Sequence, residues 1–357
     1  MTPHYRLKEL TVEITRKCPM RCTICSSEGG DCDPNELSLT ELYKIVDDSI
    51  QLGIETISLS GGEPLESPYV TDFIRYVKKK GLRLLLYTCG NVESGKEIVP
   101  IDSEHFQLFK EVGVDKIIFS IHGPNAEIHE KVTTKAGSFN NLITSIKRAQ
   151  DYKHTIELHF VPVLPNYRSL PEIINLARKL NISKISILRF VPQGRGLLNQ
   201  KVLNLDEGHL LELREILTSA RRNSKIDIRL GAPFNCFHID CETYCTAGID
   251  KAAVRPDGIV VPCVSMKRIG FSQSLDNVRL TNIRKIWEES NLFNYIRDYH
   301  VKIQKSACRS CNYYSLCRGG CLTQRLIKVD SIDDADTYCL QKKVPNNEDI
   351  AIKKMIV

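Results

Sequence analysis

Strand-like and helix-like segments alternate regularly from Leu10 to about Leu230. Six short runs are rich in β-branched and other apolar residues: Leu10–Thr15, Thr56–Ser60, Leu82–Thr88, Lys116–Ile121, Ile156–Val163 and Lys184–Val191. Helical periodicity separates and follows them over Leu39–Leu52, Tyr69–Lys79, Glu104–Glu111, Asn140–Asp151, Ser169–Leu180 and Asp206–Ala220. Such alternation predicts a parallel sheet with right-handed crossovers, and six units fall short of a closed eight-stranded barrel. We therefore expect an α/β fold, a partial (β/α)6 TIM-like barrel, with function at the carboxyl ends of its strands.

The pattern changes after Leu230. Helical periodicity fades, cysteines become frequent and turns such as Pro256-Asp257-Gly258 appear, with one helix expected over Asn282–Ser290. A segment with so little apolar periodicity would hardly fold by hydrophobic burial alone. Bound metal would supply the missing stabilisation. We expect a core domain over residues 1–230, a small cysteine-rich domain over residues 231–342 and a polar tail over residues 343–357.

Composition excludes several classes of protein. Fourteen cysteines among 357 residues are too sparse for a small secreted disulfide scaffold. The chain has no run of ~18 apolar residues, and charges near its start leave no room for a signal-peptide core. The net charge of +6 is mild and the basic residues alternate with acidic ones, which argues against a nucleic-acid partner. We therefore expect a cytoplasmic protein without membrane contact, where clustered cysteines more often bind metal than form disulfides.

Three cysteines closely follow the first expected strand, as Cys18-Pro-Met-Arg-Cys22-Thr-Ile-Cys25. This C-x3-C-x2-C spacing brings three thiolates within reach of one small inorganic cluster, and thiolates are the ligands that iron–sulfur clusters require. Three ligands for four irons leave one iron open to a substrate or cofactor. The alternative is a zinc site that lacks one ligand, or an electron-transfer cluster with a distant fourth cysteine.

A second motif, Ser60-Gly61-Gly62-Glu63-Pro64, follows the second expected strand. Its two glycines allow close approach of a ligand to the backbone, and Glu63 offers a carboxylate to an ammonium group. An isolated motif of this kind is usually only a turn. Its position one β/α unit after the three cysteines favours a binding site at the same edge of the sheet.

Together the two motifs make the region Leu10–Leu230 resemble the radical S-adenosylmethionine (SAM) superfamily. The resemblance implies that the three cysteines hold a [4Fe–4S] cluster whose open iron is chelated by SAM. The glycine motif would hold the amino group of SAM. It further implies reductive cleavage of SAM to a 5′-deoxyadenosyl radical, which abstracts a hydrogen atom from the substrate. Ser120, at the end of the fourth expected strand, matches a family position that contacts the SAM carboxylate or ribose.

Two positions depart from the family pattern. Ile24 stands where an aromatic residue usually precedes the third cysteine, so its backbone remains for adenine binding while ring stacking is lost. Thr133 is nearest to the position where many relatives have an arginine. Arg189, on the sixth expected strand, is a candidate for the missing SAM-binding cation, and a surface or helix-pairing role is its equal alternative.

Seven further cysteines form an interleaved set in the C-terminal segment: Cys245, Cys263, Cys308, Cys311, Cys317, Cys321 and Cys339. Two close pairs with interleaved partners indicate two tetrathiolate sites, and two zinc knuckles are the alternative to iron–sulfur clusters. The arrangement resembles the SPASM domain, which follows radical SAM cores that modify peptides and some small molecules. By that resemblance one auxiliary [4Fe–4S] cluster uses Cys245, Cys263 and Cys321, with Cys241, Cys236 or the substrate as its fourth ligand. The second cluster uses Cys308, Cys311, Cys317 and Cys339.

Catalytic side chains are less well indicated. Sulfatase-maturating relatives place an aspartate general base just after the cysteine that matches Cys263, and here that residue is Val264. Cys32, near the N-terminal cysteines, is a weak candidate for hydrogen-atom donation to a substrate radical, although such a residue is more often an incidental loop thiol. Cys89, at a strand end, fits a small packing residue better than a catalyst.

The resemblance thus implies a radical SAM/SPASM enzyme that uses SAM, one SAM-binding [4Fe–4S] cluster and two auxiliary [4Fe–4S] clusters. The leading substrate is a ribosomally synthesised peptide that undergoes cross-linking, oxidation or excision. Dehydrogenation or decarboxylation of a sugar, polyol or tetrapyrrole is the second interpretation, and a non-catalytic iron–sulfur or zinc redox protein is the third. Expected partners are an electron donor such as flavodoxin or ferredoxin and, because the first strand begins near Leu10, a separate peptide-recognition protein.

Overall fold

The computed structural model describes residues 5–237, 239, 244–267, 276–303, 307–328 and 336–340, so the expected polar tail lies outside the described residues. The strands are β1 (Glu9–Glu13), β2 (Thr56–Ser60), β3 (Arg83–Thr88), β4 (Asn91–Ser94), β5 (Glu97–Pro100), β6 (Lys116–Ser120), β7 (Ile156–Phe160), β8 (Lys184–Ile187), β9 (Asp227–Leu230), β10 (Lys251–Val254) and β11 (Val260–Val261).

The α-helices are α1 (Leu39–Ile50), α2 (Val70–Lys79), α3 (Ser103–Val112), α4 (Ala126–Thr133), α5 (Ser138–Asp151), α6 (Leu170–Lys179), α7 (Arg195–Leu198), α8 (Gln200–Leu203), α9 (Glu207–Asn223), α10 (Ile283–Glu289), α11 (Asn291–Ile303), α12 (Tyr314–Cys317) and α13 (Leu322–Lys328). Within the described ranges, none of these helices combines the length and the hydrophobicity that a membrane span needs.

Nine strands form one sheet in the order β11-β10-β1-β2-β3-β6-β7-β8-β9. Neighbours are parallel except β10 and β11, which are antiparallel. The six expected strands are confirmed as β1, β2, β3, β6, β7 and β8, with helices between them. The sheet ends at β11 on one side and β9 on the other, as expected for a partial barrel that is open on one side.

Local sequence signals explain where several helices begin. Ser38 and Glu41 form a capping box at the start of α1, and each side chain binds the backbone N–H of the other residue. Asp102 accepts from the His105 N–H at 2.9 Å at the start of α3, which ends at the left-handed residue Gly113. These caps define the residues at which α1 and α3 begin.

The two faces of the sheet have opposite character. The outer face packs Leu86, Phe119 and Leu158 into the main apolar core, against helix residues such as Phe73 and Ile146. Alternate residues of the same strands form a polar inner face, which includes Tyr87, Ser120, Glu157, His159 and Ser186. The inside of the partial barrel is therefore lined by groups that suit a polar ligand.

The C-terminal segment is more ordered and more apolar than its sequence suggested. The expectation of a single helix there is wrong, because α11, α12 and α13 follow α10. Trp287 and Phe293 enter the main core, while α11 also contributes Leu292 and Ile296 to a second apolar cluster. The apolar residues of α11 recur at helical spacing, which is the signal that would have revealed it. In addition, β10 extends the sheet beside β1. The sequence did not predict this pairing, because β10 has only four residues and is more than 230 residues away from β1 along the chain.

Candidate SAM and cluster sites

Cys18, Cys22 and Cys25 lie on the loop that follows β1, at the carboxyl edge of the sheet. Burial, and then the neighbouring Cys25 and Cys18, raise the pKa of the Cys22 thiol well above its usual value, so the three sulfurs influence one another. Within the described ranges, no three His, Cys, Asp or Glu side chains converge tightly enough for a single metal ion. An iron–sulfur cluster makes a different demand, because each thiolate binds a different iron and the ligand sulfurs stand apart.

Backbone contacts hold this cysteine loop from several sides. Thr23 N donates to Val132 O at the end of α4 at 2.8 Å, and Arg195 Nε donates to Cys22 O at 3.1 Å. Gly29 N donates to the Cys25 sulfur at 3.4 Å. Amide donors of this kind stabilise a thiolate and influence the potential of the cluster it binds. The loop therefore fits the iron–sulfur cluster that the spacing predicts.

The glycine motif after β2 packs directly on the chain that leads to Cys18. Gly62 N donates to Thr15 O at 2.6 Å, and Glu63 N donates to Lys17 O at 2.8 Å. A Cβ atom on Gly62 would lie 2.2 Å from Lys17 O, and one on Gly61 would lie 2.6 Å from Thr15 O. Both glycines are therefore required because the glycine motif packs closely on the segment that leads to Cys18. The motif alone does not reveal this requirement.

Glu63 is held inside the protein by a fixed set of donors. Thr88 Oγ1 lies 2.9 Å from both carboxylate oxygens, and Cys89 N donates to one of them at 2.8 Å. Burial raises the pKa of Glu63 to about 7 despite these hydrogen bonds. A cation placed beside Glu63 would favour its ionised form, so this carboxylate suits an ammonium group such as that of SAM.

A small apolar cluster surrounds Ile24, separate from the main core. Val163, Phe190 and Leu203 form its buried part, with Ile24 and Val161 packed against them. Val161 and Val163 follow β7 and Phe190 follows β8, at the edge of the sheet that carries the cysteine loop. Ile24 and Val161 are partly buried and supply the apolar surface of this cluster that an adenine ring would contact, while the buried Phe190 ring packs behind them. Phe190 was not among the residues predicted from the sequence.

Ser120 and Arg189 occupy different surroundings. Ser120 ends β6 and lies opposite His159 of β7, on the inner face of the sheet. Arg189 donates from both terminal nitrogens to the two carboxylate oxygens of Asp336, each at 2.7 Å, and stacks over the Tyr338 ring at 3.7 Å. This bidentate pair favours the pairing role for Arg189 over the role in SAM binding, which stays a prediction.

The C-terminal cysteines influence one another in groups. Burial, followed by the influence of Cys321 and Cys263, raises the pKa of Cys245 to about 12. Burial also raises the pKa of Cys317 to about 12, and Asp336, Cys339 and Cys308 add to that effect. Cys311 N donates to Cys308 O at 3.0 Å within one turn. These neighbours support the assignment of the cysteines to one trio and one quartet, which stays a prediction.

Cys241 and Cys236 are the two candidates for the fourth ligand of the first trio. Cys241 lies outside the described residues. Cys236 is fully buried, and burial raises the pKa of its thiol, with contributions from Asp336, Cys317 and Cys339. The Cys236 thiol therefore lies beside the second set, which weakens its candidacy for the first.

Two remaining cysteines lie near the N-terminal loop. A hydrogen bond with Cys18, and then burial, raise the pKa of Cys89, whose thiol also lies near Glu63. Cys32 is exposed and lines a surface cleft of about 380 Å³ together with Cys18, Lys17 and other residues. The cleft places Cys32 at the protein surface, and its role as a hydrogen-atom donor stays a prediction.

Lys267 joins the two cysteine-rich parts of the chain. Its ammonium group contacts the Glu13 carboxylate and lies 2.6 Å from Ser27 Oγ, which itself donates to Glu13 at 2.8 Å. Lys267 follows the short 3-10 turn that begins after Cys263, and Ser27 lies two residues beyond Cys25. No local pattern predicts this contact, because it joins positions more than 200 residues apart.

Family models match both parts of the chain. The model of the radical SAM superfamily matches residues 12–181, and that of the SPASM iron–sulfur cluster-binding domain matches residues 245–312. An AdoMet-dependent heme synthase of Methanosarcina barkeri is 24% identical over 92% of this chain and 95% of its own length. PqqA peptide cyclase of Gluconobacter oxydans is also 24% identical, over 92% of this chain and 89% of its own length.

Solved structures show the same fold. SuiB of Streptococcus suis, bound to SAM, matches with a TM-score of 0.73 at 16% identity, over 94% of this chain and 78% of that one. The structure of anSMEcpe with AdoMet and a Cp18Cys peptide matches with a TM-score of 0.69 at 18% identity, over 93% of both chains. The family matches imply SAM, a SAM-binding [4Fe–4S] cluster and auxiliary [4Fe–4S] clusters as cofactors. The chain is a radical SAM superfamily enzyme with a C-terminal SPASM domain.

Proposed function

We propose that this enzyme modifies a ribosomally synthesised peptide, by forming a cross-link, by oxidation or by excision. PqqA peptide cyclase, a relative that matches 92% of this chain, supports a peptide substrate. The observation in this chain that carries the proposal is the balance of charge inside the partial barrel.

Three cations inside the barrel are paired with carboxylates of the same chain. Lys116 lies 2.8 Å from Glu157, and Lys267 contacts Glu13. Arg189 is bound on both terminal nitrogens by Asp336. A substrate with several carboxylates needs cations to replace its lost hydration, whereas the amide groups of a peptide need only hydrogen-bond partners. These three ion pairs therefore favour a peptide segment over a polycarboxylate.

The residues of the site have distinct proposed tasks. Cys18, Cys22 and Cys25 would hold the SAM-binding cluster, and the Gly61–Pro64 motif would place Glu63 at the SAM amino group. Ser120 would contact the SAM carboxylate or ribose, and the apolar cluster around Ile24 would exclude water from adenine. The chemistry that bound SAM and its reduced cluster supply is a 5′-deoxyadenosyl radical for hydrogen abstraction.

A second candidate function is decarboxylation of a tetrapyrrole. Two relatives favour it, the AdoMet-dependent heme synthases of Methanosarcina barkeri and Oleidesulfovibrio alaskensis, which are 24% and 26% identical to this chain. The alternative requires cations that are free to bind the substrate carboxylates. Candidates for this role are Arg195, which donates to Cys22 O at 3.1 Å, and Arg229, which lies 3.4 Å from Ser186 Oγ.

The proposal includes partners. Flavodoxin or ferredoxin would donate the electron, and a separate recognition protein would present the peptide. The cytoplasm, with its reducing conditions, would be the compartment in which exposed thiols such as Cys32 and an iron–sulfur enzyme persist.

One anaerobic experiment separates the two substrates. The reconstituted enzyme is incubated with SAM and dithionite, in parallel with a short peptide encoded beside its gene and with an iron-containing tetrapyrrole carboxylate. We expect SAM-dependent hydrogen loss or cleavage in the peptide, detected by mass spectrometry, and none with a Cys25→Ala control. Loss of carbon dioxide from the tetrapyrrole, with the peptide unchanged, would establish the alternative.

A further inference from the structure

A buried arginine lies against one of the C-terminal cysteines. Arg325 on α13 is fully buried, and its Nη1 lies 3.6 Å from Cys308 Sγ and 3.4 Å from Gly319 O. The side chain of Tyr299, on α11, also forms a hydrogen bond with Arg325. The guanidinium is thus held in one orientation by contacts from three different segments of the chain.

A guanidinium in this position is costly unless an anion compensates its charge. Full burial removes its hydration, and buried charges are normally paired. A protonated thiol would be a weak, neutral acceptor, whereas a Cys308 thiolate bound to iron carries negative charge. The contact between Arg325 and Cys308 is therefore better satisfied when Cys308 is a cluster ligand.

The same helix also connects the two sets of C-terminal cysteines. Cys321, of the first set, immediately precedes α13, and Arg325 N donates to Cys321 O at 3.1 Å. One helical turn later the Arg325 side chain reaches Cys308 of the second set. Another buried arginine near these cysteines, Arg189, is neutralised by Asp336 at 2.7 Å. Asp336 influences the pKa of both Cys321 and Cys317, so this pair is close to both sets.

We propose that Arg325 raises the reduction potential of the second auxiliary cluster by holding a positive charge and an N–H donor against the Cys308 thiolate. Reduction adds a negative charge to a cluster, and a nearby cation and hydrogen bonds to the ligand sulfurs favour the reduced form. The inference rests on the proposed assignment of Cys308, Cys311, Cys317 and Cys339 to one cluster.

The test is an anaerobic potentiometric titration, followed by electron paramagnetic resonance, of the full reconstituted chain. Cys18, Cys22 and Cys25 are all replaced by alanine, so that only the auxiliary clusters give signals. We expect Arg325→Gln to lower one of the two reduction potentials by about 59 mV, which corresponds to a tenfold change in the equilibrium of a one-electron reduction. Arg325→Lys keeps the charge but loses the planar fork, so its potential should lie between those of glutamine and arginine.

Arg297→Gln is the matched control. Arg297 is also buried, but it donates to Gly248 O and lies over the rings of Tyr5 and Trp287. Its replacement removes a buried charge elsewhere in the same segment and should leave the potential of the Cys308 cluster unchanged. A shift of equal size in the Arg297 variant would overturn a specific role for Arg325.

Iron content separates failure of this inference from failure of the cluster assignment. If the triple-alanine protein holds only one auxiliary cluster, and Cys311→Ala leaves that cluster in place, the assignment of the second ligand set is wrong and the inference falls with it. If two clusters are present and Arg325→Gln changes neither potential, the inference alone is overturned. If glutamine prevents incorporation of the cluster, Tyr299→Phe carries the test. This variant frees the guanidinium, so a potential identical to that of the parent protein would then overturn the proposal.

Discussion

The ammonium group of Lys267 contacts the carboxylate of Glu13 at the end of β1, and both side chains are buried. Ser27 binds both partners, so a residue of the SPASM segment is fixed to the loop that carries the SAM-cluster cysteines. The four residues Val264–Lys267 after Cys263 therefore connect an auxiliary ligand to the neighbourhood of Cys25. This contact gives the two cysteine groups a fixed relationship without a covalent link.

Lys267→Met should destabilise the protein strongly. The change leaves the Glu13 carboxylate buried without its cation, and removal of one partner of a buried pair costs about 3–5 kcal/mol. Anaerobic urea unfolding of the reconstituted protein measures the loss. The matched control is Lys131→Met, which breaks an exposed i,i+4 pair with Glu127 and should cost no more than about 0.5 kcal/mol. Equal losses in the two variants would show that the buried pair has no special role.

Gly62→Ala should prevent assembly of the SAM-binding cluster. Its Cβ atom would lie 2.2 Å from Lys17 O, so either the glycine turn or the cysteine loop must move. We expect iron to fall by about four atoms per chain while the auxiliary clusters remain. Gly208→Ala is the control, because its Cβ would meet Asp206 Oδ1 at an ordinary 3.4 Å in the first turn of α9. Full iron content in Gly62→Ala would contradict the contact.

The affinity for SAM should rise with pH through the pKa of Glu63, which is about 7. Below this pKa the carboxyl is protonated and offers no charge to the SAM ammonium, and above it the ionised form attracts the ammonium. Binding of SAM therefore releases a proton near neutral pH, and the affinity levels off at higher pH. Equilibrium dialysis of the reconstituted protein across this range measures the effect. Glu63→Gln should abolish the pH dependence, whereas Glu127→Gln at an exposed site should retain it. An unchanged profile in Glu63→Gln would remove Glu63 from the SAM site.

Arg189→Met distinguishes the two roles considered for this arginine. Because both of its terminal nitrogens bind Asp336, we expect a loss of stability of about 3–5 kcal/mol and an affinity for SAM within about twofold of the parent enzyme. Unfolding and dialysis measurements on the same preparation give both quantities. A tenfold weaker affinity at full iron content would instead support SAM binding by Arg189.

The sequence predicted what depends on local spacing. The strands are local features, and the three N-terminal cysteines lie within eight residues, so both can be recognised from short stretches of sequence. The grouping of Cys245 with Cys263 and Cys321 followed from the family resemblance and stays a prediction, which the influence of Cys321 and Cys263 on the Cys245 pKa supports.

The contacts that hold these groups together were not predictable in the same way. Lys267 and Glu13 are 254 residues apart, and Arg189 and Asp336 are 147 residues apart. Neither pair has a sequence signal, because Lys267 and Arg189 are indistinguishable from surface cations until folding buries them. Arg325 was missed for a related reason, since its partner Cys308 precedes it on a separate loop.

The most direct test of the central claim is production of 5′-deoxyadenosine. The full chain is reconstituted anaerobically to about twelve irons, as three [4Fe–4S] clusters require, and then incubated with SAM and dithionite. The account predicts that 5′-deoxyadenosine accumulates in the parent enzyme and is absent from Cys18→Ala, Cys22→Ala and Cys25→Ala. Absence of 5′-deoxyadenosine from fully reconstituted parent protein, or its undiminished formation by the alanine variants, would contradict the account.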